Sequence, residues 1–299
     1  MSCDKEKFLV VRFGGIGDFV SALSYCNSTK GCDLFFSPSI SSLFQTEKND
    51  QQHLLKVMPF SSDVVVRFGN IRSLIKLINL NRYYEVIVYA QSAGGYGLML
   101  FTFLLRLLLV LNNVKVRQFF FGGQYVHLLN ECSQIRSLVK SLPDSPIVSI
   151  FFDSKESANN LSELTVIEIC RTLSNSLSNP KISVYGLSRL ELGNHELAIN
   201  NASGLTTFDE LRNVFLATDL AITCDSGPFH IFLEMNTPCI TFVSARQSLL
   251  NWTPAKPNVY YIFDERVDCL GCGKAICPKT ENLCVNSDNT RRKFFEIFE

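Results

Sequence analysis

Short apolar runs rich in β-branched residues alternate with helical patterns along this chain, and the alternation occurs twice. No other feature constrains the fold as much, because repeated strand–turn–helix units build parallel sheets with helices on their faces. The first series opens at Phe8-Leu9-Val10-Val11-Arg12-Phe13. It turns through Gly14-Gly15-Ile16-Gly17-Asp18 and enters a helical pattern at Phe19, Val20, Ala22 and Leu23. Asp63-Val64-Val65-Val66, Glu85-Val86-Ile87-Val88-Tyr89 and Val114-Lys115-Val116 are predicted strands, with a helix over Ile71 to Leu80. The second series starts at Pro146-Ile147-Val148-Ser149-Ile150-Phe151-Phe152 and continues through a helix from Ser162 to Leu177. A strand over Lys181 to Gly186, a helix over Thr207 to Ala217 and a strand over Leu220 to Thr223 follow. The turn Asp225-Ser226-Gly227-Pro228 then leads into a helix, and Pro238 to Val243 is the next strand.

The chain has 299 residues, about twice the commonest domain size. The proline-bearing stretch Ser141-Leu142-Pro143-Asp144-Ser145-Pro146 is the best boundary, giving domains of 1–143 and 144–299. Both are expected to be Rossmann-like, doubly wound α/β domains. Ligands of such sheets sit beyond the carboxyl ends of the strands, so a cleft between the two domains is the expected site. Lys+Arg and Asp+Glu both number 28, which removes the global basic field of a nucleic-acid binder. The charged start, Met1 to Lys7, lacks the apolar core of a signal peptide and is read as cytoplasmic. From Leu98 to Leu111 only Thr102 and Arg106 interrupt an apolar run. The run falls short of the ~20 residues of a spanning helix. Two readings fit it: a buried helix of the first domain, or a helix that docks on a membrane surface.

Amide groups at the start of the helix after Asp225-Ser226-Gly227-Pro228 are unpaired and face the positive end of the helix dipole, which suits a diphosphate. Gly227 allows close approach, Pro228 fits the first helical turn, and His230 lies one turn further in. An ordinary turn capped by Asp225 or Ser226 fits the same residues equally well. A hydrolase elbow is excluded, because Cys224 and Pro228 stand where G-x-S-x-G needs glycines. Gly15 and Gly17 supply part of a dinucleotide fingerprint, but Val20 replaces its third glycine. Asp33 lies roughly where a ribose-binding acid belongs. Asp18 would repel a pyrophosphate, yet it suits a general base or, alternatively, a helix cap. Eleven cysteines occur, and Cys269, Cys272, Cys277 and Cys284 crowd into one loop over 269–284. Four thiolates at such spacing suit a closed, structural zinc or iron site, and four separate reduced thiols fit the same residues.

Three stretches in order resemble the bacterial heptosyltransferases of glycosyltransferase family 9. They are Val10 to Asp18, Gly204-Leu205-Thr206-Thr207 through Asp225-Ser226-Gly227-Pro228-Phe229-His230 to Pro238, and Trp252-Thr253-Pro254 with the cysteine cluster. The segment Glu85 to Ser92 is also similar to a family strand. The resemblance implies the GT-B fold, with an acceptor domain followed by a nucleotide-sugar domain. It implies inverting transfer from an ADP-heptose-like donor, without a catalytic metal, to a glycan, lipopolysaccharide or protein hydroxyl at the inner face of the membrane. Asp18 would be the base, with Gly15 and Gly17 in its loop. Thr206, Thr207, Asp225, Ser226, Gly227, Pro228, His230 and Glu191 would hold the donor. Family members place a basic residue after the first strand of the second domain, where this chain has Asn159 or Asn160. Lys155 is the nearby substitute. That departure leaves a second reading open, a catalytically lapsed member that binds a nucleotide or a partner protein.

Overall fold

The computed structural model describes residues 8–12, 19–20, 22–23, 25–26, 32–36, 66–81, 85–91, 103, 105, 107, 110, 116–121, 132–193, 198–244, 256–269, 272, 274, 276–277, 279 and 282–299. The chain divides into two compact units, Met1–Gly122 and Gly123–Glu299.

The first unit is a five-stranded sheet in the order β3-β2-β1-β4-β5. Its strands are β1 (Phe8–Arg12), β2 (Cys32–Phe36), β3 (Val66–Phe68), β4 (Glu85–Gln91) and β5 (Val116–Phe121). Every described pairing in it is parallel. Helix α1 (Ile71–Asn81) follows β3. Its Leu74, Leu77 and Ile78 recur at helical spacing and pack against Leu9, Val11, Phe35 and Val86 of the sheet. Leu105, inside the long apolar run, joins that core, while Phe103, Leu107 and Val110 are 62%, 47% and 54% exposed. Among the described residues of the run, one apolar side chain is thus buried and three are exposed. Among the described residues no helix is long and apolar enough to cross a membrane.

The second unit is a six-stranded sheet in the order β11-β10-β9-β6-β7-β8. The strands are β6 (Ile147–Phe151), β7 (Lys181–Tyr185), β8 (Ile199–Asn201), β9 (Leu220–Cys224), β10 (Cys239–Phe242) and β11 (Val259–Ile262). All its described pairings are parallel too. Counted within the unit this is the doubly wound order 3-2-1-4-5-6, whose chain direction reverses between β6 and β9. Central strands buried on both faces read as near-continuous apolar runs, as Leu-Ala-Ile-Thr-Cys does in β9.

Helices α2 (Cys132–Lys140), α3 (Glu163–Ser176), α4 (Phe208–Ala217), α5 (Gly227–Met235), α6 (Leu283–Asn286) and α7 (Asp288–Phe295) belong to this unit. Helix α2 precedes the proline-bearing stretch and so falls within the expected first domain, 1–143. It instead packs its apolar face on the second unit, where Ile135 enters the core and Arg136 donates to the carbonyl of Glu296. The final helix closes the same core. Phe294 is fully buried against Phe242, with ring centroids 5.9 Å apart, and Arg291 pairs with Glu168 of α3 at 2.8 Å.

Candidate functional site

The carboxyl ends of β6, β7, β8 and β9 lie along one edge of the second sheet, and the reversal point falls between β6 and β9. Asp225 follows β9, and its N–H donates to the carbonyl of Phe242 at the end of β10, 3.1 Å away. Ser226 then caps α5 in extended conformation, and Gly227 and Pro228 form the first turn. Helices α3, α4 and α7 each begin with a side chain that accepts from a backbone amide. These are Ser162 with Thr165, Thr207 with Glu210, and Ser287 with Thr290. Ser226 makes no such bond. Its Oγ instead donates back to the Cys224 carbonyl at 3.2 Å. The N-cap side chain of α5 therefore makes no capping bond, and this helix start sits where such sheets bind ligands. Asp225, Ser226 and His230 are buried around it, and Gly227 and Pro228 are half-buried. The His230 ring lies 4.9 Å from that of Phe229. Burial pushes the Cys224 thiol far above its ordinary value, so this neighbour of Ser226 stays protonated and is no nucleophile.

Neighbouring loops are tied to one another side by side. Asp153, just past β6, accepts from the amides of Leu187 and Ser188 at 2.8 and 2.9 Å and from the Ser188 hydroxyl at 2.6 Å. These bonds draw the loop after β7 onto the loop after β6. Gly186 makes that approach sterically feasible, since a Cβ there would come within 2.3 Å of Phe152 and 2.9 Å of Asp153 Oδ1. The loop after β8 is joined in turn: Leu190 N donates to Ser203 Oγ and Asn201 Nδ2 donates to the Leu190 carbonyl, at 2.9 and 2.8 Å. Gly204, at φ 68°, adopts the left-handed backbone that favours glycine and bonds the Gly186 carbonyl at 3.0 Å.

The sequence-predicted donor residues fall along this edge with different roles. Thr207 is occupied as the cap of α4 in a reciprocal capping box with Glu210. Thr206 donates to the Ala202 carbonyl at 2.9 Å. Glu191 is 84% exposed and lies 3.9 Å from Arg189. Lys155 is exposed in the loop after β6. Asn159 and Asn160, at the position where a basic residue is expected, turn inward. Asn159 Nδ2 donates to the Asp225 carbonyl at 2.9 Å, and Asn160 Oδ1 accepts from Ser154 N at 2.9 Å. Asp153, Gly186 and Ser188 were not singled out from the sequence. An Asp directly after a strand, and a Gly directly after the next, were the available signals.

In the first unit, Asp18, Gly15 and Gly17 lie outside the described residues. They follow β1, whose last residue, Arg12, is buried beside the reversal between β1 and β4. Asp33 is not placed for a ribose. It is fully buried in the amino-terminal half of β2, opposite Leu9, whereas ligands bind past the carboxyl ends.

In the cysteine loop, Cys269 and Cys277 are half-buried, Cys272 is exposed and Cys284 is buried in α6. Cys272 N donates to the Cys269 carbonyl at 3.1 Å, and Lys279 pairs with Asp268 across the base of the loop. Among the described residues no group of three or more His, Cys, Asp or Glu side chains is arranged to hold a metal ion. The thiols suit zinc or iron by their chemistry, but in this arrangement they do not converge on one point.

No protein-family model matches the chain, and a search of curated protein sequences returns no match. Solved structures do match. The Escherichia coli ADP-heptose lipopolysaccharide heptosyltransferase II superposes with a TM-score of 0.60 at 13% identity, over 98% of both chains. A family 9 glycosyltransferase from Veillonella parvula gives a TM-score of 0.54 at 12% identity, covering 88% of this chain and 87% of its own. The Escherichia coli heptosyltransferase WaaC, solved with ADP, gives 0.53 at 13% identity over 97% of this chain and 99% of its own. The chain thus has the α/β fold of the GT-B heptosyltransferase structures, with both of its Rossmann-like units.

Proposed function

We propose that this protein is a glycosyltransferase that moves a heptose or related sugar from a nucleotide-diphosphate donor, ADP-heptose in the first instance, to a hydroxyl of a glycan, lipopolysaccharide or protein. The observation that carries this reading is the start of α5. Its N-cap serine makes no capping bond, and it stands at the carboxyl edge and reversal point of a sheet with the heptosyltransferase fold. Backbone amides there, with the helix dipole behind them, receive the diphosphate. As the sugar departs, negative charge grows on the β-phosphate, and preorganised amides stabilise that charge more than they stabilise the bound donor. His230 and the exposed Lys155 are the cationic or proton-donating groups nearest to this role in sequence. Glu191 and Thr206 contact the nucleotide or sugar. Asp18 takes the proton from the acceptor hydroxyl, and the transfer inverts the anomeric centre without a catalytic metal.

Cys269, Cys272, Cys277 and Cys284 would be the thiolates that supply a structural zinc or iron ion. The protein works in the cytoplasm at the inner face of the membrane, where Phe103, Leu107 and Val110 offer an apolar contact. The inward-turned Asn159 favours a second reading, in which the chain binds nucleotide without turning it over.

A transfer assay with ADP-heptose, paired with ADP calorimetry, tests both. Asp18→Asn is expected to lower the rate by ~10² or more while ADP binding persists. Unchanged turnover in that variant removes Asp18 as the base. ADP binding without transfer to any acceptor selects the second reading, and metal analysis of the purified protein decides between zinc and iron.

A further inference from the structure

Asn159 joins three strand ends at the proposed donor edge. It closes the short 3-10 turn Ser157–Asn159 after β6 and is only 4% exposed. Its Nδ2 donates to the Asp225 carbonyl at 2.9 Å, and its Oδ1 accepts from Ser244 Oγ, beyond β10, at 2.6 Å. The Asp225 N–H is meanwhile bonded to the Phe242 carbonyl at 3.1 Å. Both backbone groups of Asp225 are thus engaged. The carbonyl of Asp225 shares one planar, trans peptide with the N–H of Ser226, and the two point in opposite directions. Holding that carbonyl against Asn159 aims the Ser226 amide away from the loop. The turn bearing Asn159 is itself braced from behind. Asn282 Nδ2 donates to the Ser157 carbonyl at 2.7 Å, Asn286 Nδ2 to the Asn160 carbonyl at 3.1 Å, and Ser162 N to Asn286 Oδ1 at 2.7 Å.

We propose that Asn159 is a positioning residue for the nucleotide diphosphate, acting by fixing the direction of the Ser226 amide at the start of α5. The proposal rests on the reading of that turn as the donor site. Asn159 need not touch the donor, and its contribution is to the order of the groups that do.

ADP calorimetry and thermal unfolding of the full chain test this with four variants. Asn159→Ala is expected to weaken ADP binding about 10-fold, equivalent to ~1.4 kcal/mol. Asn159→Asp, which only accepts hydrogen bonds when ionised and adds negative charge, weakens it at least as much. Ser244→Ala leaves the amide in place but loosens it, and is expected to cost about 3-fold in affinity, or ~0.65 kcal/mol. Ser149→Ala removes a buried 2.8 Å bond to Thr218 elsewhere in the unit. It is expected to lower the melting temperature and leave ADP affinity unchanged. Wild-type affinity in both Asn159→Ala and Ser244→Ala overturns the proposal, and Ser244→Ala carries the test alone if Asn159→Ala does not fold. Equal affinity loss in Ser149→Ala reduces the effect to stability and overturns it as well. A wild-type protein that binds no ADP overturns the donor-site reading itself, and the proposal falls with it.

Discussion

Helices α4 and α5 both start at the carboxyl edge of the second sheet, and they start in opposite ways. At α4, Thr207 accepts from the Glu210 amide while the Glu210 carboxylate accepts from the Thr207 amide and hydroxyl at 2.7 and 2.8 Å. The chain itself thereby serves the Thr207 and Glu210 amides of that turn. At α5, the Ser226 hydroxyl bonds backwards to Cys224 and makes no capping bond to the helix. A helix start whose N-cap side chain turns away, on a buried edge of such a sheet, suits an anion from outside. Thr207, which the sequence reading placed with the donor, is thereby explained by its own helix.

Substitutions that exchange these two characters break or sharpen the contrast. The largest effect is expected from Gly227→Asp, which supplies α5 with a carboxylate of its own. ADP affinity should fall by about 100-fold or more through like-charge repulsion, with no loss in melting temperature, because an acidic group at a helix start is favourable. Retained ADP binding would move the phosphate site elsewhere. Gly186→Ala tests the wall behind the edge: its Cβ would meet Phe152 at 2.3 Å. Denaturant unfolding should show a loss of ~1–3 kcal/mol from overpacking. Thr207→Ala removes the cap of α4 and should cost ~1–2 kcal/mol of stability without changing ADP affinity.

A third helix start extends the comparison to acid. Ser287 caps α7 and donates to Asp264 Oδ2 at 2.6 Å, while Asn289 and Arg266 donate to Asp264 Oδ1. Burial alone would raise the Asp264 carboxyl, but the hydrogen bonds from Arg266, Ser287 and Asn289 outweigh it and hold its pKa far below the ordinary 3.8. A carboxyl lowered on folding stabilises the protein above its unfolded value, and that stabilisation is lost as pH falls through the folded one. Acid unfolding below about pH 3.8 should therefore be less steep in Asp264→Asn than in wild type. The smallest effect is expected from Ser226→Ala, whose hydroxyl caps nothing. Its unfolding free energy should stay within ~0.5 kcal/mol of wild type, whereas a loss comparable to that of Thr207→Ala would show that the serine caps α5 after all.

Where elements carried a clear period, they were legible from the sequence. The helix expected over Ser162 to Leu177 is α3, with Ser162 and Leu177 as its caps. The strand expected over Lys181 to Gly186 is β7. β2 escaped because Cys32-Asp33-Leu34-Phe35-Phe36 carries no β-branched residue and has a carboxylate inside a fully buried strand. β8 escaped because Ile-Asn-Asn is a short, polar edge strand. The boundary near residue 143 followed two prolines, yet α2 crosses to the second unit through Ile135 and Arg136.

The sequence by itself determined the alternation of strands and helices, the doubly wound class that follows from it, and the turn Asp225-Ser226-Gly227-Pro228 as a candidate anion site. Those are local properties, written in period, glycine and proline. Tertiary structure decided which polar groups were already spent. Thr207 is taken by Glu210, Asn159 by Asp225 and Ser244, and Asp153 by the loop after β7. Hydrogen bonds between loops distant in sequence leave no periodic signal along the chain. Only the fold shows that Ser226 turns its hydroxyl back to Cys224 instead of capping α5.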